Sequence, residues 1–193
     1  MQRQKFHEKN NIMRDVKYIV IHCSATPEGR NVSAATIDMW HRKRGFNQIG
    51  YHYVIGLDGK IESGRPVNTM GAHVSGGNKG SIGIAYIGGM DANNKKAKDT
   101  RTEAQKTALI KIIKILKNIY PEASIHGHRD YSKDLDGDGV EKHEYMKMCP
   151  CYDAEVEYME YQPKNFKPKS KVARDLKKRP KHVTKKISHV KQN

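Results

Sequence analysis

The sequence has no long apolar run, only three cysteines and few aromatic residues. A membrane-spanning helix needs about 18 or more consecutive apolar residues; no segment approaches that length, so we expect no integral membrane segment. The apolar stretch at 18–21 follows a basic start but is too short for the core of a signal peptide. An odd number of cysteines without such a signal argues against a disulfide framework. Metal binding, nucleophilic chemistry or simple burial therefore remain open for the thiols.

Acidic residues are scarce relative to basic ones, since 36 Lys and Arg stand against 21 Asp and Glu and give a net charge of +15. Such an excess suggests a polyanionic partner. Its distribution is uneven: residues 163–193 hold twelve basic residues and one acid, or +11, whereas residues 1–162 carry only +4. The last segment also has few apolar residues, so we predict a disordered basic C-terminal tail over 163–193.

The 193 residues suit one domain with a substantial core better than two. Strands are predicted at 17–23, 51–57, 60–63, 81–87 and 123–127, and helices at 33–44, 102–120 and 156–161. Thr102 and Gln105 have the spacing of a capping box, which marks the start of the second helix. Because strands and helices interleave, we expect an α/β fold with a single central mixed β-sheet flanked by helices.

Two histidines lie at the ends of predicted strands, where functional residues tend to collect. His22 ends the first strand, His128 follows the last one, and Cys149 comes later in the chain. Imidazole and thiolate suit Zn²⁺, and three protein ligands leave a position for an activated water. On spacing alone the three residues are scattered, and a buried core histidine is the simpler interpretation of His22.

A set of short motifs occurs in order along the chain. They are I-V-I-H-C-S-A-T at 19–26, W-H at 40–41, G-Y-H-Y at 50–53, D-G at 58–59, G-A-H at 71–73, S-I-G at 81–83, G-H-R-D at 127–130 and C-P at 149–150. Together they resemble the type-2 N-acetylmuramoyl-L-alanine amidases, the family of phage T7 lysozyme and the peptidoglycan recognition proteins, with the closer likeness to T7 lysozyme. The resemblance covers Val16 to Asp153 and implies a zinc amidase domain at 16–162 after an extension at 1–15.

The resemblance implies a role for several residues. The implied zinc ligands are His22, His128 and Cys149. Tyr51 matches the catalytic tyrosine beside the metal, and Lys147 matches the catalytic lysine of the T7-like branch. His73 resembles a histidine that lines the substrate groove. Trp40 is a candidate for substrate contact, although a core position is the simpler interpretation of this side chain.

The implied reaction is hydrolysis of the amide bond between N-acetylmuramic acid and the L-alanine of the stem peptide in peptidoglycan. Zinc lowers the pKa of its bound water toward about 7 and polarises the carbonyl, while a lysine and a tyrosine hydroxyl can stabilise the oxyanion. We expect a monomeric, bacteriolytic phage endolysin that accumulates in the cytoplasm and acts on the cell wall after release. Its basic tail would tether it to anionic wall polymers or outer-membrane phosphates.

Two alternative functions remain open at this point. The first is a peptidoglycan-binding module without catalysis, against which Cys149 argues because non-catalytic members of the family typically lack this ligand. The second is a nucleic-acid-binding protein, which the charge of the tail suggests. The body lacks a recognition motif, and Phe166 is the only aromatic ring in the tail besides histidines.

The segment at 131–146 separates His128 from Cys149 by more residues than in T7-like relatives, and we interpret it as an insertion. It contains the pattern D-x-D-x-D-G, with the carboxylates of Asp134, Asp136 and Asp138. This pattern matches the first half of a calcium-binding loop. The second half does not match, since the twelfth position is Tyr145. Calcium is therefore a second candidate cofactor, and a solvated acidic loop is the alternative.

Overall fold

A computed structural model describes residues 14–178, so most of the predicted extension and residues 179–193 lie outside it. The strands are β1 (Tyr18–Cys23), β2 (Thr26–Pro27), β3 (Tyr53–Ile55), β4 (Ile61–Ser63), β5 (Ser81–Tyr86), β6 (Gly89–Met90) and β7 (Ser124–Gly127). The helices are α1 (Ala34–Lys43), α2 (Glu103–Ile119), α3 (Ala154–Glu157) and α4 (Lys171–Lys178). Single 3₁₀ turns lie at His128–Tyr131, Lys142–Glu144 and Met159–Tyr161.

The main sheet has the strand order β4-β3-β5-β1-β7. β1 runs parallel to both of its neighbours, with Ile21 opposite Ile84 on β5 and Gly127 on β7, while β4 pairs with β3 in the antiparallel direction. The sheet is therefore mixed, which confirms the predicted fold class. The apolar run of β1 is buried almost throughout, as expected of a parallel strand that is covered on both faces.

Helices cover the two faces of this sheet. α2 begins at the predicted capping box, where Thr102 Oγ1 accepts the Gln105 N–H and Gln105 Oε1 accepts the Thr102 N–H. Its buried side packs into the main core together with Ile55 of β3. The preceding residue, Val54, points to the opposite face of the sheet, where it packs with Ile37 of α1.

Over residues 14–178, none of the helices has both the length and the apolar character needed to cross a bilayer.

The prediction of a disordered tail has to be corrected for 163–178, because this segment folds against the domain. Phe166 and Ala173 are buried, and α4 forms within the segment. The Lys169 and Ser170 backbone N–H groups each donate to a Glu155 oxygen at 2.9 Å. The segment folds with few apolar residues because the buried Glu155 carboxylate accepts these backbone hydrogen bonds. The composition of the segment does not reveal this partner.

The predicted insertion at 131–146 packs against the same C-terminal segment. Val140 N donates to the Lys169 carbonyl at 2.8 Å, and Lys171 N donates to the Val140 carbonyl at 3.2 Å. The Arg174 guanidinium also donates to the Gly137 carbonyl at 2.9 Å. The insertion and the C-terminal segment therefore support one another.

Candidate metal centre

The three predicted zinc ligands meet at the carboxyl edge of the parallel strands. His22 lies near the end of β1 and His128 follows β7 directly, so parallel pairing places both at the same edge. Their Nδ1 atoms are 3.1 Å apart although 106 positions separate the residues. Cys149 Sγ lies 3.9 Å from His22 Nδ1. The three side chains can therefore offer their ligand atoms to a single ion.

The fold fixes the backbone of the second and third ligands. Arg129 N, directly after His128, donates to the Cys149 carbonyl at 2.8 Å. Asp130 Oδ2 accepts the Gly127 N–H at 2.6 Å and closes the turn that begins at His128. The buried Tyr86 hydroxyl donates to the carbonyl of the residue after Cys149 at 2.7 Å. These contacts hold the two ligand-bearing loops together.

The donor set fits zinc. Burial, assisted by neighbouring histidines and Lys147, lowers the pKa of His22 well below its usual value. Burial and the charge of Lys147 lower the pKa of His128 to about 4, so both imidazoles are neutral near pH 7. Cys149 Sγ accepts the Cys23 N–H at 3.2 Å, which places a backbone donor against a coordinating sulfur. Two neutral imidazoles and one thiol group match a catalytic zinc site with an open position.

A cavity of about 560 Å³ opens beside these ligands, and Tyr51 and Lys147 help to line it. The Tyr51 ring centroid lies 5.1 Å from that of His22. Burial, with a contribution from Cys149, raises the pKa of Tyr51, so its hydroxyl stays protonated near pH 7. Lys147 is exposed, and its positive charge contributes to the lowered pKa of both histidine ligands. A hydroxyl and an ammonium group thus border the same space as the ligands.

The two residues predicted to contact substrate lie in different places. His73 reaches the cavity wall, yet it is buried and its Nδ1 lies 3.0 Å from His22 Nε2. Burial, with His52 adding to it, lowers the pKa of His73 to about 3. Trp40 is half-buried and packs against the buried residues between α1 and the sheet, which include Ile37 and Val54. The Arg30 guanidinium lies 5.5 Å from its ring. Trp40 is absent from the cavity wall, which agrees with the core interpretation.

The sequence did not single out a second buried group next to the centre. It consists of His126, Asp130 and Glu155, whose potential ligand atoms also lie within 4.8 Å of one another. His126 Nδ1 lies 2.5 Å from Glu155 Oε1, and its Nε2 lies 2.8 Å from Ser124 Oγ. Burial and neighbouring carboxylates raise the pKa of both acids. Its one sequence signal is a histidine inside β7, which alone does not reveal its partners.

The predicted calcium loop brings its three carboxylates together, but the protein supplies cations to two of them. The loop residues are Asp134, Asp136 and Asp138. Arg174 Nη2 lies 3.1 Å from Asp134, and Lys171 Nζ lies 2.6 Å from Asp138. Both cations belong to α4, which lies within the segment predicted as a tail. Calcium at this loop would have to compete with these two ion pairs.

A mixed sheet flanked by helices, with two histidines and a cysteine at its carboxyl edge that could hold a metal ion, defines a fold of the amidase and peptidoglycan-recognition type. Residues 12–150 match the model of the N-acetylmuramoyl-L-alanine amidase family, and the chain belongs to that family.

Comparison with individual proteins agrees with this assignment. The chain is 33% identical over 135 residues to the endolysin of Escherichia phage T7, a match that covers 70% of this chain and 80% of that one. Its fold is similar to that of the N-acetylmuramoyl-L-alanine amidase LysC from Clostridium intestinale, with a TM-score of 0.57, 30% identity and coverage of 76% and 84%. It is also similar to bumblebee PGRP-SA, with a TM-score of 0.57, 25% identity and coverage of 75% and 81%.

Proposed function

We propose that the protein is a zinc-dependent N-acetylmuramoyl-L-alanine amidase of the endolysin type, which cleaves peptidoglycan between N-acetylmuramic acid and L-alanine. The observation that carries the proposal is the group of His22, His128 and Cys149, of which His128 and Cys149 line an open cavity. Membership of the amidase family and the similarity to a phage endolysin support the substrate class and the reaction.

The residues around the cavity support amide hydrolysis. Zinc held by the three ligands would polarise the scissile carbonyl and lower the pKa of a bound water to about 7. The Lys147 ammonium and the protonated Tyr51 hydroxyl border the same cavity, so both can donate to the oxygen that becomes negative in the tetrahedral intermediate. Departure of the L-alanine amine also needs a proton, which Lys147, Tyr51 or a water can supply.

The alternative is a peptidoglycan-binding module without catalysis, and the similarity to bumblebee PGRP-SA is the observation in its favour. Three features of this chain favour the enzyme. Cys149 completes a three-residue set of possible metal ligands with two histidines, Lys147 lines the same cavity as His128 and Cys149, and the Tyr51 ring lies against His22. A module that only binds stem peptides needs none of these groups in that arrangement.

Hydrolysis of purified peptidoglycan tests the proposal, with release of new L-alanine amino groups as the readout. We expect activity in the zinc-loaded protein, its loss with chelator and its recovery when zinc is returned. Cys149→Ser should abolish activity, whereas the matched variant Cys151→Ser should retain it, because Cys151 Sγ donates to the Gly89 carbonyl outside the ligand set. Binding of peptidoglycan without hydrolysis in the zinc-loaded protein would instead support the binding module.

We further propose that the protein acts on the cell wall as a monomer after release from the cell, as its similarity to phage endolysins suggests. Basic residues beyond Lys178 would attach it to anionic wall polymers or outer-membrane phosphates by charge. Nucleic acid stays the competing partner for these residues, and binding to DNA but not to sacculi would favour it.

A further inference from the structure

A row of polar side chains leads from His22 into the fold, away from the candidate ligand atoms. His22 Nε2 lies 3.0 Å from His73 Nδ1, and His73 Nε2 lies 3.3 Å from Ser81 Oγ. Ser81 Oγ in turn lies 3.2 Å from the carbonyl oxygen of Asn78. His22, His73 and Ser81 are all buried. The row therefore ends on a backbone carbonyl, a group that accepts hydrogen bonds and cannot donate them.

This end point sets the direction of every hydrogen bond in the row. The Ser81 hydroxyl donates to the Asn78 carbonyl, which leaves Ser81 Oγ to accept from His73 Nε2–H. A neutral His73 with its proton on Nε2 has its lone pair on Nδ1, where it accepts from His22 Nε2–H. His22 then has its own lone pair on Nδ1, the atom that faces the other two candidate ligands.

Packing fixes the His73 imidazole in the orientation that this row requires. The ring lies against the bare backbone of Gly71 and Gly83, and a Cβ atom at either position would collide with it. The start of the following loop is fixed as well, because the His73 and Val74 N–H groups both donate to Asn78 Oδ1, at 2.8 and 3.0 Å. The ring is thus oriented by the fold and needs no substrate to hold it.

The neighbouring His52 does not offer a second route. Its Nδ1 accepts the Gly83 N–H at 2.9 Å, so its proton is on Nε2, which donates to the Thr69 carbonyl at 3.0 Å. Both nitrogens are therefore engaged with backbone groups. The His52 and His73 ring centroids are 5.7 Å apart and the rings meet edge to face. The hydrogen bonds from His22 thus lead to Asn78 through His73 and Ser81.

We propose that His73 and Ser81 are positioning residues that hold His22 in the tautomer with its lone pair on Nδ1, ready to coordinate zinc. His73 then acts on the metal ligand, and its role differs from the groove residue that the sequence suggested. The inference rests on the proposed zinc centre. Outer partners of metal-ligating histidines typically change metal affinity by about 10- to 100-fold when they are removed.

Two substitutions at His73 separate hydrogen bonding from packing. His73→Leu fills the space between Gly71 and Gly83 but cannot accept from His22 Nε2–H. His73→Gln has a side-chain oxygen that can accept this proton. In competition with a chromophoric chelator, we expect zinc affinity to fall about 10- to 100-fold in His73→Leu and to recover most of that loss in His73→Gln.

A serine substitution tests the far end of the row, and the chain offers a matched control. Ser81 on β5 and Ser124 on β7 both contact a buried histidine, and both strands flank β1. Ser81→Ala should weaken zinc binding about tenfold, because His73 loses the acceptor that fixes its tautomer. Ser124→Ala should leave zinc affinity unchanged. Nitrogen NMR of the zinc-free protein should show the His22 proton on Nε2 in the unsubstituted chain and a mixture of tautomers in Ser81→Ala.

The possible failures are distinguishable. If the unsubstituted protein binds no zinc, the proposed function itself is wrong. If it binds zinc but His73→Leu and Ser81→Ala bind it equally well, the positioning role is wrong. The positioning role is also wrong if Ser81→Ala and Ser124→Ala lose the same amount of zinc affinity and the melting temperatures of their zinc-free forms fall by the same amount. The loss of affinity would then result from general destabilisation.

Discussion

Two histidine-containing groups lie side by side in this molecule, one partly open and one fully buried. The candidate metal centre collects His22, His128 and Cys149 beside an open cavity, whereas the second group of His126, Asp130 and Glu155 is closed on all sides. In the second group backbone donors and a serine take up much of the hydrogen-bonding capacity, through Lys169, Ser170 and Ser124. In the first, the ligand atoms lie close to one another, and His128 and Cys149 line the cavity.

The comparison shows what separates a site from a structural network when the residue types are similar. A buried donor that meets a protein partner is satisfied and contributes to stability. In the first group the possible metal-ligating atoms lie close together, and burial keeps the imidazole of His128 neutral by lowering its pKa. Such an arrangement suits a metal ion that binds from outside. Substitutions in the two groups should accordingly affect different quantities, metal binding in the first and stability in the second.

The largest expected effect contrasts a histidine from each group. His22→Ala should reduce peptidoglycan hydrolysis about 10³-fold, since a catalytic metal supplies several kcal/mol of transition-state stabilisation, and should abolish stoichiometric zinc binding. His126→Ala should keep its zinc when assayed below its melting temperature. Zinc content after gel filtration and initial hydrolysis rates check both. Loss of zinc from His126→Ala while its fold is intact would contradict the division between the groups.

Next in size is the effect of Glu155→Ala on stability. The substitution leaves His126 and the N–H groups of Lys169 and Ser170 without their buried acceptor, so we expect the free energy of unfolding to fall by about 3 kcal/mol. Glu157→Ala on the same helix is the control, with an expected loss below about 1 kcal/mol because the Glu157 side chain is 42% exposed and its partner Arg101 keeps an ion pair with Asp99. Urea unfolding measures both, and hydrogen exchange should rise over 163–178 only in Glu155→Ala.

The pH dependence of stability should also distinguish the groups. His22 and His128 have lowered pKa values, so at pH 6.5 the unfolded chain binds protons at these histidines that the folded chain does not. Their contribution to stability therefore rises with pH and levels off about one unit above the pKa of a free histidine. Burial raises the pKa of Asp130, so folding retains a proton that the unfolded chain has already released, and stability falls as pH rises through neutrality.

Urea unfolding of zinc-free protein at pH 6.5 and pH 8 checks this sign. We expect Asp130→Asn to lose less stability over the interval than the unsubstituted protein, by about 1 kcal/mol. Titrating groups that do not interact with Asp130 are common to both proteins and cancel in the difference. An equal loss in both proteins would show that Asp130 does not titrate in this range.

A smaller effect concerns where the folded part of the chain ends. A chain that stops after Lys178 should keep its melting temperature and its activity on soluble muropeptides, because the packed residues 163–178 remain. It should bind cells several-fold more weakly at low salt, and the difference should disappear at high salt. A chain that stops after Gln162 should instead unfold more easily, because Glu155 loses its backbone donors.

The smallest effect is expected from calcium. Lys171 and Arg174 already neutralise two carboxylates of the acidic loop, so saturating calcium should shift the melting temperature of the unsubstituted protein by less than about 1 °C. Lys171→Met removes one competing cation and should make the shift larger. A large shift in the unsubstituted protein would support the predicted calcium loop as a built site.

Much of the fold was predictable because its signals are local. The apolar run of β1 and the capping box of α2 can be read from neighbouring residues, and both occur as predicted. The three candidate ligands came from an ordered set of motifs rather than from spacing, since His22 and His128 are 106 positions apart. What the motifs could not supply is the hydrogen-bond partner of each side chain.

The failures have the same origin. Residues 163–178 looked disordered because their composition is basic and poor in apolar residues, while the groups that order them lie elsewhere, on Glu155 and in the acidic loop. The contact of His73 with His22 was not predicted either, because it depends on how β1 and β5 are paired. Neither relation can be inferred from the segments themselves.

The pairing of β1 with β7 has a consequence for how the protein forms. His22 belongs to β1, whereas His128 and Cys149 follow α2 and β7 in the chain. They reach His22 only when β7 pairs with β1. Contacts of such long sequence separation form late and slowly in folding. Zinc uptake should thus be among the final steps of maturation, and a nascent or clipped chain that lacks β7 would have no assembled site for the ion.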